Sequence, residues 1–352
     1  MIVGHFSPSK LPRTVEMDLS GFDLTGNKQY SGYMEKFDKI SKIRWLHSIE
    51  LEPGFVTPGI VPLAHLSKMT DDLGLPQDMS GLTVLDVGAR DGFFSFEAEK
   101  RGARVIAVDI QSIDTIGLGI ARDILQSRVG FVQSNVYDLT LEKIGGEPVD
   151  VIFFLGVMYH LRHPLLAIDN LWKLLKPNGT IYVETAYLDE YFVVDDAVYT
   201  SLESIHPLLS RTALLQYYPN DELNPGDFSN WFSPNQKALE EILRSAGFEP
   251  QLLSKWGGRI LYKAAKLEGT PQYMLSEHGA DPLSSRWAGI DPRDVEIRRK
   301  NRHFVPVSGD AREMVRSVLG ELRSSKIYKA IRLLGFWSAL DKKIEELLLD
   351  HR

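Results

Sequence analysis

The sequence predicts an α/β fold built on a doubly wound, mostly parallel sheet, and three observations predict it. Apolar runs of strand length alternate with stretches of helical spacing between residues 82 and 185, giving the order βαβαβαβαβ. The run Val149-Asp150-Val151-Ile152-Phe153-Phe154-Leu155 is almost continuously apolar, as a central parallel strand covered on both faces must be. The first strand of the series, with Val84, Leu85 and Val87, runs straight into the turn Gly88-Ala89-Arg90-Asp91-Gly92 and then a helix.

Taken in order, residues 1–30 are rich in Ser, Pro, Thr and Gly and read as a loosely held arm. Tyr33, Phe37, Ile40, Ile43 and Leu46 recur at helical spacing, which predicts a helix over 30–51. Pro53-Gly54 and Pro58-Gly59 then mark an ordered loop, and 63–73 is a short helix. Strands are expected at 82–87, 105–109, 129–133, 149–155 and 180–185, with helices over 93–98, 114–125 and 164–175 and a turn at 176–179. Residues 187–233 form a long insertion rich in Tyr, Asp and Glu, long enough to be functional or to carry structure of its own. It suits a lid over an acceptor pocket, although a surface-packed insertion has the same composition. A helix over 234–246 ends at Gly247, and 248–255 and 259–266 pair as a hairpin across Gly257-Gly258. The domains expected are an arm and cap (1–75), the sheet domain (76–266) and a C-terminal extension (267–352). In the extension Ile327, Ile331, Leu334, Trp337, Leu340, Ile344 and Leu347 repeat at helical spacing beside Lys and Arg. Such a helix docks on its own domain, on a second subunit as in a homodimer, or on an anionic membrane surface.

Composition narrows the function. With no cysteine, thiol nucleophiles, disulfides and Cys-based zinc sites are excluded. A net charge of −7 argues against a nucleic-acid partner, and the short basic cluster around Arg298 to His303 reads as a solvated face. No apolar run reaches transmembrane length, so the expected location is cytoplasmic.

The glycines select the cofactor. A dinucleotide fingerprint needs G-x-G-x-x-G, whereas only Gly88 and Gly92 are present here, with Asp86 two residues before the first. An acid beside the turn repels a pyrophosphate and suits a cationic ligand ending in an amino acid. Asp109 closes the second strand about 20 residues on, where an acid grips ribose hydroxyls. The arrangement resembles motif I of S-adenosylmethionine-dependent methyltransferases, with Ala89 and Arg90 replacing the usual filling. It implies a Rossmann-like, seven-stranded methyltransferase sheet. The expected cofactor set is Asp86, Gly88, Ala89, Arg90, Gly92, Phe93, Asp109, Ile110, Asn135, Val136, Leu155 and Gly156. In that superfamily the residue ending the third strand, here Asn135, contacts the adenine.

A narrower resemblance covers residues 45–266. The stretch GVMYHLRHPLLAIDNLWKLLKPNGTIYVET, the Trp45-x-His47-x-Ile49 segment with Thr57-Pro58-Gly59, and Asn230-Trp231-Phe232-Ser233-Pro234 resemble the tRNA wobble-uridine 5-oxyacetic acid methyltransferase-like family. That resemblance places Tyr159 at the reaction centre. The founding tRNA enzymes read a carboxylated cofactor with a P-W-R-K-G-P-F segment, which is absent here. The expectation is therefore ordinary S-adenosylmethionine and a small-molecule or glycan acceptor. The segment SSKIYKAIRLLGFW is also similar to tails of bacterial surface-glycan enzymes.

Methylating a hydroxyl calls for a base poised near neutral pH, and His is the natural type. His160 is the first candidate, with Tyr159, His163 and His47 beside it and His206 behind. Trp45 and His47 either pack on the core or fold over the cofactor to bring His47 to the acceptor. A metal held by His160, His163, Glu184 or the insertion's acids is a lesser alternative, and none is expected. Three functions remain open: O-methylation of a sugar, glycan or small hydroxylated metabolite, tRNA modification, and a non-catalytic scaffold that binds S-adenosylmethionine.

Overall fold

Parallel strand pairing sets the architecture. A computed structural model describes residues 38–271, except 191, 195–196, 200, 219–220, 225 and 270. The expectations for the N-terminal arm and for the basic cluster and helix of the C-terminal extension lie outside the described residues. Seven strands form one sheet: β3 (Thr83–Val87), β4 (Arg104–Asp109), β5 (Gly130–Gln133), β6 (Val149–Leu155), β7 (Leu175–Ala186), β12 (Phe248–Trp256) and β13 (Arg259–Lys266). Their order is β12-β13-β7-β6-β3-β4-β5, and β13 alone runs against both its neighbours. Chain order reverses between β3 and β6, so a crevice opens at their C-terminal ends, the switch point where open α/β sheets bind ligands.

Period-two alternation divides the core into two layers. Leu85, Val87, Ile152 and Phe154 pack with α4 (Pro164–Leu174) and α6 (Gln236–Ser245) on one face. Val84, Val105, Ala107 and Phe153 pack on the other with α1 (Leu63–Leu73), α2 (Phe93–Lys100), α3 (Gly117–Leu125) and Trp45. Trp45 is thus a core residue, 2% exposed.

Four boundaries differ from the sequence reading. The helix expected over 30–51 is helical only at 38–41 among the described residues. Beyond Trp45 the chain is extended, and β1 (Glu50–Glu52) pairs with β2 (Phe55–Val56) around Pro53-Gly54. The cause is tertiary: Asp91 accepts from the amides of Leu46 and His47, which a helix would need for itself. The helix expected from 114 begins at Gly117, because Ser112 and Thr115 close a separate turn. The turn at 176–179 is an irregularity inside β7: Leu175 pairs with Val149 and Thr180 with Val151, with Asn178 at φ 61°. Finally, 187–233 is not one loop. It holds the hairpin β8 (Phe192–Val194)–β9 (Ala197–Tyr199), the short helix α5 (Leu202–Ile205), and β10 (Leu215–Tyr217) paired with β11 (Phe232–Pro234). Asn235 ties this insertion to the sheet domain. Its Oδ1 accepts from Ala238 and Leu214 amides while Nδ2 donates to the carbonyls of Leu209 and Thr212.

Candidate active site

The turn after β3 is held from several sides. The amides of Gly88 and Ala89 both donate to the Val108 carbonyl. Gly88 has φ 76°, and a Cβ there would lie 2.4 Å from Cγ2 of Val157, so backbone alone fits between the turn and the end of β6. Asp91 is wholly buried and accepts from three amides, those of Leu46, His47 and Gly117, pinning the N-terminal segment and the start of α3 to the turn. Gly92, at φ 86°, opens α2.

Two acids face this turn from the strand ends. Asp109, 6% exposed, accepts from the Arg90 amide at 3.0 Å and the Gln111 amide at 2.9 Å, so it is fixed in place with lone pairs to spare. Asp86 is buried and accepts from Ser95, whose hydroxyl lies 2.6 Å away and whose backbone also contributes. Burial, reinforced by the negative charge of Asp109, pushes its pKa up to about 7. Near Asp91, Nδ1 of His47 and, on the same turn, Nη1 of Arg90 are enclosed without hydrogen-bond partners. Burial lowers the pKa of His47 to about 4, so its ring is neutral at physiological pH.

These groups fit S-adenosylmethionine. Asp86 would take the ammonium of its amino-acid end, and the orphaned atoms of Arg90 and His47 match its carboxylate. Asp109 would hold the ribose hydroxyls. Ile110, 65% exposed directly after Asp109, offers an apolar face for the adenine. Oδ1 of the Asn135 side chain accepts from the Tyr137 amide, which fixes the orientation of the side-chain amide. Ala89, Phe93 and Val136 are buried side chains, which leaves only their backbone for the cofactor. Leu155 is half-buried against the core, and Gly156 (φ 73°) turns the chain at the end of β6.

The acceptor side is built from the residues just past β6. A 3-10 turn, Met158–His160, puts Tyr159 and His160 side by side with ring centroids 4.2 Å apart. Arg259 lies over the Tyr159 ring at 4.4 Å and makes a two-pronged ion pair with Glu184, Nε–Oε1 2.5 Å and Nη2–Oε2 2.8 Å. Glu184 is therefore committed to a guanidinium, and no cluster of three metal-ligating side chains occurs among the described residues. Burial raises the Tyr159 phenol above its usual range, which removes it as a base near neutral pH. Burial acts oppositely on His160, lowering its pKa and keeping the imidazole neutral. His160 Nδ1 lies 2.8 Å from Ser229 Oγ, and Ser229 donates to Asp227 at 2.5 Å.

The other histidines are placed elsewhere. His163 begins α4, with its amide donating to the Tyr137 hydroxyl and its ring 5.9 Å from that of Tyr137. His47 packs on Phe93 and Phe94 beside the donor turn, not among the groups around Tyr159. His206 uses Nδ1 to accept from the Leu208 amide. Sequence reasoning missed Asp91, Ser95, Asp227 and Ser229. Nothing in their spacing distinguishes them, since each acts through a partner made near only by folding.

A sheet of this order with such a turn at its switch point is the arrangement of class I, S-adenosylmethionine-dependent methyltransferases. Residues 64–253 match the family described as a methyltransferase domain, and the chain belongs to it. Among curated proteins, the tRNA U34 carboxymethyltransferase of Campylobacter jejuni is 26% identical over 141 residues, 39% of this chain and 47% of that protein. The ubiquinone biosynthesis O-methyltransferase of Histophilus somni is 28% identical over 162 residues, 43% of this chain and 62% of that protein. The matched region thus spans about half the length of these relatives. Among solved structures, the 1,6-didemethyltoxoflavin-N1-methyltransferase of Burkholderia thailandensis, with 1,6-didemethyltoxoflavin and S-adenosylhomocysteine bound, is similar at 18% identity and TM-score 0.41, covering 70% of this chain and 93% of that one.

Proposed function

We propose that this chain methylates a hydroxyl group of a sugar, glycan or other small hydroxylated metabolite, with His160 as the general base. The observation that carries the reading is the His160 imidazole in the turn that follows β6, packed on Tyr159 with its Nδ1 2.8 Å from Ser229 Oγ. When bound, S-adenosylmethionine supplies an electrophilic methyl group on a positively charged sulfur. The chain's part is to align an acceptor and remove its proton. Tyr159 shapes the floor beneath the acceptor, its ring backed by the Arg259–Glu184 pair. The insertion 187–233 would serve as a lid on this side; its Tyr217 and Trp231 pack around the Arg162 guanidinium, 5.7 and 4.5 Å from the ring centres, which presents a cation framed by aromatic rings.

Incubation with S-adenosylmethionine and a panel of nucleotide-sugars and other hydroxylated acceptors, read by mass spectrometry, tests the proposal. A methylated product is expected. His160→Gln should lower kcat by about 10²–10⁴-fold while leaving cofactor affinity unchanged. No product from any acceptor would favour a scaffold that binds the cofactor without using it. The similarity to tRNA U34 carboxymethyltransferases supports a second reading, tRNA modification. Retention of bulk tRNA at moderate salt would favour it, against the expectation from a net charge of −7.

A further inference from the structure

We propose that Asp227 and Ser229, from the insertion, are positioning residues that set the tautomer of His160 and so couple the lid to the chemistry. This rests on the reading of His160 as the base. Asp227 Oδ1 accepts from both the Ser229 amide at 3.0 Å and the Ser229 hydroxyl at 2.5 Å. A serine hydroxyl has one hydrogen, and here it is committed to a carboxylate. Ser229 Oγ can therefore only accept from His160, 2.8 Å away, which requires the proton on Nδ1. The lone pair is then on Nε2, the nitrogen left for the acceptor.

The loop that delivers Ser229 is braced independently of His160. Asn230 donates to the Asp227 carbonyl, Asn224 to Asn230, and the Trp231 amide to the carbonyl of Tyr159. In the reaction the acceptor hydroxyl gives its proton to Nε2. Its oxygen forms a bond to the methyl carbon as the carbon–sulfur bond breaks, and the bonding pair returns to sulfur. The positive charge passes from sulfur to the imidazole, where the hydrogen-bonded Asp227 compensates it until the proton leaves to solvent. Charged or titratable groups around His160 are Asp227 from the lid, Glu184 from β7, Arg259 from β13 and Tyr159 on its own turn. Burial lowers its pKa most; Asp227 raises it, Arg259 lowers it, and the Ser229 backbone and Glu184 raise it.

The test is nitrogen NMR of the full chain labelled at histidine, with His160→Gln to assign the signal, alongside kcat–pH profiles of Ser229→Ala, Ser229→Thr and Asp227→Asn. The wild type should show a protonated Nδ1 and a bare Nε2 at neutral pH. Ser229→Ala should populate the other tautomer and lower kcat about tenfold with KM for the cofactor unchanged, and Ser229→Thr should restore both. Asp227→Asn should move the rising limb of the profile to lower pH. A proton on Nε2 in the wild type, or an unaltered tautomer in Ser229→Ala, overturns the relay whatever the activity. Full activity of His160→Gln would instead overturn the base assignment, a separate outcome.

Discussion

At the scale of single residues, Asp86 makes the sharpest prediction. Its folded-state pKa of about 7 lies above the ordinary carboxylate value, so between those two pH values the ligand-free protein holds a proton that the unfolded chain has lost. Its contribution to stability is therefore fully present in acid and declines as pH rises toward 7. An ammonium beside it reverses that sign by favouring the carboxylate. Affinity for S-adenosylmethionine should fall about tenfold per unit as pH drops below 7. Calorimetric titration between pH 5.5 and 8 checks this, and Asp86→Asn should flatten the dependence. A flat wild-type profile would show that the ammonium sits elsewhere. On the proposal that Asp109 holds the ribose, Asp109→Ala would remove its charged hydrogen bonds to two ribose hydroxyls. At roughly 1.5 kcal/mol apiece, affinity should fall on the order of a hundredfold. Unchanged binding would refute the ribose role.

At the scale of elements, Asp91 joins the N-terminal segment, the donor turn and α3 through three amides. Asp91→Ala would leave those donors buried and unpaired, at about 1–3 kcal/mol each before relaxation. A drop of several degrees in Tm by scanning calorimetry is expected, and a Tm within one degree of wild type would contradict the staple. Gly117 has the same message in steric form, since a Cβ there would come within 2.3 Å of the Trp45 ring. The Arg259–Glu184 pair joins β13 to β7 in the same way. Removing one partner strands a charge, so Arg259→Met should cost about 3–5 kcal/mol, and Arg259→Met with Glu184→Met should recover most of it in denaturant unfolding.

At the scale of the whole molecule, the acidic balance and the aromatic insertion both favour a small acceptor. No described helix is long and apolar enough to cross a membrane. The donor turn is held by the sheet domain, while the group that orients His160 comes from the insertion. Cofactor affinity and acceptor turnover should therefore separate on mutation. Insertion variants such as Asp227→Asn are expected to change kcat with unaltered cofactor Kd, and turn variants to change Kd first.

The sequence by itself determined the strand order in the chain, the donor turn and the acid that ends β4. These are local patterns: apolar period, glycine spacing, and one carboxylate at a fixed offset along a βαβ unit. It also placed Tyr159 and His160 just past the end of a strand, because a strand end carrying Tyr and His is legible in one dimension. Only the tertiary structure decided that the segment after Trp45 is extended, since Asp91 captures amides 44 and 45 residues away in the chain. The same holds for His160, whose partner Ser229 is 69 residues distant. Side-chain bonds across such separations leave no periodic trace, because each needs only one residue at each end and no pattern between them.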